Sequence, residues 1–176
     1  MMVKNIGTIL LCMLLGNSVY AKDISEGEKF IGVEVSVTEV QGEASRVIDD
    51  SISDGMAFGL RLGSQNEQWR SMFVWNSFDS EYRSVMKLFL SLDYIFMTGG
   101  MVADYSFQPY LGANIGYMSY ESIGFDEDGL LYGGQAGILF EMTEYVNFDI
   151  GYRYSLSSEE ALDHTSELLF GVQYEY

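Results

Sequence analysis

From Phe30 to the last residue, apolar positions alternate with polar or small ones in stretches of about ten residues, divided by turn-forming clusters. Period-two alternation puts successive side chains on opposite faces of a strand. In the first stretch, Ile31, Val33, Val35 and Val37 share one face, and Phe30, Gly32, Glu34, Ser36 and Thr38 the other. In the second, Met56, Phe58, Leu60 and Leu62 alternate with Ala57, Gly59, Arg61 and Gly63. The third, Trp69 to Phe78, reads as a strand, but its apolar residues fall on both parities and give it no orientation.

The fourth stretch is the clearest. Met86, Leu88, Leu90, Leu92, Tyr94 and Phe96 form one face, against Lys87, Phe89, Ser91 and Asp93. The fifth sets Leu111, Ala113, Ile115 and Tyr117 against Tyr110, Gly112, Asn114 and Gly116. The sixth sets Tyr132, Ala136, Ile138 and Phe140 against Gln135, Gly137 and Glu141. The seventh sets Val146, Phe148, Ile150, Tyr152 and Tyr154 against Asn147, Asp149, Gly151, Arg153 and Ser155. The eighth ends the chain, with Leu168, Phe170, Val172, Tyr174 and Tyr176 alternating with Glu167, Leu169, Gly171, Gln173 and Glu175.

Eight strands of this kind predict an all-β, up-and-down antiparallel transmembrane barrel with both termini at one end. In hydrocarbon every backbone N–H and C=O must be paired within the protein, and a closed barrel leaves no open edge. The continuous apolar faces suit lipid, and the opposite faces are small and polar. A soluble barrel would reverse that arrangement. Residues 39–54, 119–129 and 156–165 are expected as long loops at one end and 79–83 as a short one. At the other end, 64–68 and 142–145 are expected as tight turns and 98–105 as a longer one.

The first 21 residues follow a different rule. Lys4 precedes the apolar run Ile9 to Leu15, and Val19 and Ala21 stand before an expected cleavage point, which is the layout of a secretory signal peptide. The run is too short for a bilayer-spanning helix. The expected domains are thus a signal peptide at 1–21 and a barrel at 22–176. Cys12, the single cysteine, lies in the leader, which leaves no disulfide, thiolate nucleophile or cysteine-ligated zinc in the mature chain.

Charge narrows the partners further. The chain carries 26 acidic against 9 basic residues, a net charge of −17, and loss of Lys4 with the leader takes it from −17 to −18. A nucleic-acid surface needs clustered Lys and Arg, so that class is excluded.

From Pro109 to Tyr176 the chain resembles the small outer-membrane β-barrel family that includes opacity-type proteins. The residues that carry the resemblance are Pro109-Tyr110-Leu111-Gly112-Ala113-Asn114-Ile115-Gly116-Tyr117 and Gly-Gln-Ala-Gly in the Gly133–Tyr154 hairpin. With them go Asp149-Ile150-Gly151-Tyr152-Arg153-Tyr154 and the closing Gly-Val-Gln-Tyr-Glu-Tyr. The resemblance implies a Gram-negative outer membrane, with its lipids and lipopolysaccharide as surroundings. It implies that Phe170, Val172, Tyr174 and Tyr176 form the C-terminal signal read by the outer-membrane assembly machinery. It is specific for architecture and leaves activity open, because this family hosts adhesins and structural proteins alike.

Three sets of residues are candidates for chemistry. Glu34, Arg61, Lys87, Asp93, Glu141, Asp149, Arg153, Glu167 and Glu175 all fall on the inward parity. They are expected to form a salt-bridged plug rather than a charged pore, since side chains can fill an eight-stranded lumen. Loop carboxylates, among them Glu39, Glu43, Asp49, Asp50, Asp54, Asp126, Glu127, Asp128, Glu159, Glu160 and Asp163, offer hard oxygen ligands without the spacing of a calcium loop. His164-Thr165-Ser166 is similar to the His-x-Ser pair of lipid A deacylases, with Glu167 or Glu175 as the orienting carboxylate. On alternation Ser166 points outward and both glutamates inward, so no catalytic residue, cofactor or metal is expected. The expected function is a non-enzymatic membrane barrel with acidic surface loops, in a structural or surface-interaction role. Its rivals are a soluble lipocalin-like calyx for an apolar ligand and a lipid A-modifying barrel enzyme.

Overall fold

The computed structural model describes residues 27–41, 54–80, 83–96, 101–102, 105–122, 125–158 and 163–176. They form β1 (Glu28–Gln41), β2 (Asp54–Gln65), β3 (Trp69–Ser80), β4 (Arg83–Ile95), the two-residue β5 (Met101–Val102), β6 (Tyr105–Ser122), β7 (Phe125–Glu141), β8 (Val146–Ser157) and β9 (His164–Glu175). Each long strand pairs antiparallel with its neighbours, β1 also with β9 and β4 with β6. The eight long strands therefore close into one barrel, and β5 is a short hairpin against the start of β6.

Directly paired residues can be followed once round, from Phe30 through Gly63, Met72, Ser91, Asn114, Gly133, Ser155 and Thr165. The path returns to β1 at Val40, ten residues beyond its start. Such a stagger tilts the strands and, with eight of them, leaves a lumen that side chains can fill.

At the terminal end, where β1 starts and β9 ends, side chains shape the tight turns. Asn66 Oδ1 accepts from the Gln68 and Trp69 amides at 2.9 and 2.7 Å, and Thr143 Oγ1 from the Tyr145 and Val146 amides at 3.2 and 3.1 Å. These side-chain oxygens stand in for backbone acceptors, which fixes the register of the strands they join.

The strand ends differ from expectation at several places: the expected loops 79–83 and 156–165 are each shortened by β3 to Ser80, β4 from Arg83, β8 to Ser157 and β9 from His164. The stretch 119–129, expected as a loop, is mostly a hairpin, because β6 runs to Ser122 and β7 begins at Phe125. Ser119 pairs with Met86 and Asp128, and ladders on both sides satisfy the β6 backbone there. The long turn at 98–105 contains β5, which pairs with Tyr105 and Ser106. Of the stretch expected as a loop at 39–54, residues 39–41 belong to β1 and Asp54 to β2, with Glu39 paired to Asp54.

Burial is inverted relative to a soluble barrel. Ile31, Val33, Phe58, Leu60, Leu62, Leu90, Leu111, Ile115, Ile150 and Tyr152 are exposed, while Glu34, Arg61, Arg70, Asp93, Asp149, Arg153 and Glu167 are fully buried. Trp69, Tyr94, Phe96, Tyr145, Tyr174 and Tyr176 cluster on the outer face at the terminal end, Trp69 edge-on to Tyr94 and Tyr94 edge-on to Phe96. This is where an interfacial aromatic girdle belongs. The third stretch now has an orientation: Arg70, Met72, Val74 and Asn76 point inward.

Candidate functional site: the charged lumen

Burying a charge is costly unless it is paired and hydrogen-bonded, so eight ionised groups inside one lumen must satisfy one another. They do so as a single alternating chain. Asp93 Oδ2 meets Arg70 Nη2 at 2.8 Å, and Arg70 Nη1 meets Asp149 Oδ2 at 3.0 Å. Asp149 Oδ2 also meets Arg61 Nη1 at 2.7 Å, and Arg61 Nη2 lies 2.5 Å from Glu34 Oε2. Arg153 Nη1 follows, 3.4 Å from Glu34 Oε1 and 3.1 Å from Glu167 Oε2, and Glu167 Oε1 pairs with Lys87 at the loop end. Four cations thus alternate with four carboxylates, drawn from β1, β2, β3, β4, β8 and β9, and the charges cancel.

Neutral side chains take up some of the remaining hydrogen-bonding sites. Gln135 donates to Asp93 Oδ1 at 2.7 Å and accepts from Arg153 Nε at 3.0 Å, which bends the chain into a ring. Asn76 donates to Glu34 Oε1 at 2.9 Å, and the Tyr110 hydroxyl to Asp149 Oδ1 at 2.8 Å. Lys87 donates to Thr38 Oγ1 at 3.1 Å. Two guanidinium groups also lie over rings, Arg70 over Tyr110 at 4.3 Å and Arg153 over Phe89 at 4.5 Å.

Glycine makes room for these large side chains. A Cβ at Gly151 would run into the Tyr110 hydroxyl, and one at Gly171 into the Arg61 guanidinium. Beside the ionic chain the lumen holds an apolar column of Phe30, Met72, Val74, Val85, Phe89, Met118 and Leu131, with Phe78 against it. Polar network and apolar column together fill the interior.

Among the inward candidates, Glu141 and Glu175 stand apart. Glu141 is half-buried and accepts from Gln108 at 2.8 Å, and Glu175 accepts from Asn147 at 2.6 Å, both at the terminal end. Sequence reasoning missed Arg70, which holds two carboxylates, because the third stretch had no orientation. It also passed over Tyr110, Asn76 and Gln135. Their common signal is inward parity on strands whose partners are charged.

The His-x-Ser candidate does not assemble. The His164 ring lies 5.1 Å from that of Tyr154 on the outer face, and Ser166 pairs with Tyr154. Glu167 is on the opposite face, bound to Lys87 and Arg153. Phe170, Val172, Tyr174 and Tyr176 are all exposed on the outer face, and Tyr174 packs near Tyr145. The segment 1–21 and the loop carboxylates Glu43, Asp49, Asp50, Glu159 and Glu160 lie outside the described residues.

No protein-family model matches this chain, and no curated protein matches it in sequence. Solved structures do match its fold. Neisserial surface protein A is 19% identical with a TM-score of 0.61, over 86% of this chain and 100% of that one. The N-terminal β-barrel domain of Pseudomonas aeruginosa OprF is 13% identical with a TM-score of 0.62, over 86% and 100%. Ail, the attachment invasion locus protein of Yersinia pestis, is 18% identical with a TM-score of 0.52, over 86% and 99%. At these identities the likeness is one of fold.

Proposed function

We propose that this chain is a non-enzymatic integral barrel of a Gram-negative-type outer membrane, anchored by its apolar belt and presenting acidic loops outside. Its role is structural or one of surface interaction. The observation that carries this reading is the inverted burial: a neutral ionic network inside, and a continuous belt of exposed Val, Leu, Ile, Phe and Tyr outside. That inversion disfavours the lipocalin-like calyx, whose apolar faces would line the lumen. His164 and Glu167 lie on opposite faces of β9 and Glu175 lies at the other end of that strand, which disfavours a lipid A-modifying enzyme with either carboxylate as orienter.

The reading includes a cleaved signal peptide at residues 1–21, insertion by the outer-membrane assembly machinery, and a surrounding of outer-membrane lipids and lipopolysaccharide. Membership of the opacity-type branch rests on the Pro109–Tyr176 residues alone. Ail has been crystallised with the heparin analogue sucrose octasulfate. A net charge of −17 argues against a polyanion as the ligand of this chain.

Electrophoresis of boiled and unboiled outer-membrane fractions tests the proposal. A folded band that resists detergent until boiled, found in that fraction, supports it. A periplasmic protein without such a shift would refute it and favour the calyx.

A further inference from the structure

The ionic chain uses every cation it contains on its own four carboxylates. Toward the terminal end the lumen opens onto a second polar layer of different composition. Here stand Glu141 on β7, Glu175 on β9 and Glu28 on β1, separated by the amides Gln108, Asn147, Gln173 and Gln65. Phe30 pairs with Glu175, so Glu28 lies diagonal to Glu175 on the inner face, and their carboxyl groups come within hydrogen-bonding reach. None of the four lumen cations is paired with any of these three carboxylates.

The amides in this layer direct their donors to oxygens of the same layer. Gln108 donates to Glu141 at 2.8 Å, Asn147 to Glu175 at 2.6 Å, and Gln173 to Gln65 at 3.1 Å and Glu175 at 3.4 Å. The Gln173 nitrogen thus donates to both of these oxygens. Its carbonyl oxygen is left buried and without a donor, and Gln173 is only 1% exposed. A buried acceptor without a donor is costly, and here the amide that carries it donates to Glu175, a carboxylate with no lumen cation. The layer therefore has a surplus of acceptors and of negative charge.

We propose that this terminal mouth is a binding site for a primary ammonium group, held by Glu175 and the Gln173 carbonyl, with Glu141 and the exposed Glu28 adding negative charge at the rim. An ammonium brings a positive charge and three donors to a layer in which no lumen cation faces the carboxyl groups. A metal ion fits less well, because no three carboxylates among the described residues converge on a single metal site. The ammonium can come from a free amine or from Lys22, which becomes the first residue if the leader is removed after Ala21. The second source rests on the signal-peptide reading.

The test uses the mature barrel in detergent micelles with 1,5-diaminopentane as the probe, followed by NMR of the Gln108, Asn147 and Gln173 side-chain amides. The expected result is a saturable shift of these signals that Glu175→Gln weakens by about tenfold, as loss of one charge-assisted bond implies. If Lys22 is the occupant, Lys22→Gln shifts the same signals without added amine and opens the site to the diamine. Shifts that do not saturate, or that Glu175→Gln leaves unchanged, would overturn the site. Heat-modifiable migration of each variant shows separately whether the barrel has folded, and mass spectrometry of the mature chain shows whether Lys22 is its first residue.

Discussion

Arg61 Nη1 and Asp149 Oδ2 stand 2.7 Å apart across the lumen, although 88 residues separate them in sequence. The same guanidinium reaches Glu34 through Nε at 2.6 Å, so one side chain on β2 ties β1 to β8 through the interior. A soluble protein would place an apolar core in this position. Here an apolar belt faces outward, and an ionic chain runs through the lumen beside its apolar column.

This predicts unequal costs along the ionic chain. Arg61→Ala takes one cation from each of two buried carboxylates, Glu34 and Asp149, and should destabilise the barrel by about 3–5 kcal/mol. Lys87→Met should cost distinctly less, since only Glu167 loses a partner and it keeps Arg153. Urea unfolding in phospholipid vesicles, read by the unboiled band, compares the two. Equal losses would contradict an alternating chain in which Arg61 serves two carboxylates and Lys87 one.

A filled lumen also predicts that the barrel does not conduct. In planar bilayers the purified protein should give no discrete current steps, and Arg153→Ala with Lys87→Ala should introduce small ones by emptying the loop end. Well-defined steps from the unmodified protein would show that the network lines a pore instead of plugging it.

The glycines separate by the space around them. A Cβ at Gly151 meets the Tyr110 hydroxyl, whereas one at Gly134, on the outward parity, meets only the Gly112 carbonyl oxygen at 3.3 Å. Gly151→Ala should therefore cost about 1–3 kcal/mol by overpacking. Gly134→Ala should change stability by no more than about 0.5 kcal/mol. A Gly151→Ala,Tyr110→Phe double variant should recover part of the loss, and no recovery would place the strain elsewhere.

Much of this architecture was legible in the chain because the barrel's side-chain period is two, and a period of two survives the loss of all tertiary information. The alternation is visible wherever one face is apolar, as at Ile31 to Val37 or Met86 to Phe96. It failed at Trp69 to Phe78, where Met72 and Val74 face the lumen's apolar column while Phe73 and Trp75 face outward. Both faces of β3 are apolar there, so the pattern carried no direction and hid Arg70. The pairings were not legible either. Arg61 with Asp149 depends on the ten-residue stagger, which follows from register and not from any local feature. The hairpin at Ser119 to Gly129 was obscured because its acidic residues read as loop, although ladders on both sides of β6 satisfy its backbone.

The outer face makes a prediction that depends on depth. Leu90 lies at mid-strand on β4, exposed, and Ser84 is exposed on the same face near the loop end. Leu90→Arg should destabilise the barrel in vesicles by about 2–4 kcal/mol and Ser84→Arg by about 0–1 kcal/mol, following the depth dependence of lipid-facing charge. Similar small costs at both positions would mean that the belt does not contact hydrocarbon.

The last strand separates folding from assembly. Tyr176 is 70% exposed, and its amide donates to the Lys29 carbonyl at 2.8 Å, so its ring adds little to the lumen or to barrel closure. Phe170, Val172 and Tyr174 repeat the same outward, aromatic or branched pattern along β9. If this face is the signal that the assembly machinery reads, Tyr176→Ser should lower the amount of folded protein in outer membranes several-fold. The same variant should refold into detergent micelles with nearly unchanged stability, since surface changes usually stay within about 0.5 kcal/mol. Quantifying the heat-modifiable band in cells and after refolding gives both numbers. A parallel loss in micelles would make Tyr176 a structural residue of the girdle, and no loss in cells would move the signal elsewhere on β9.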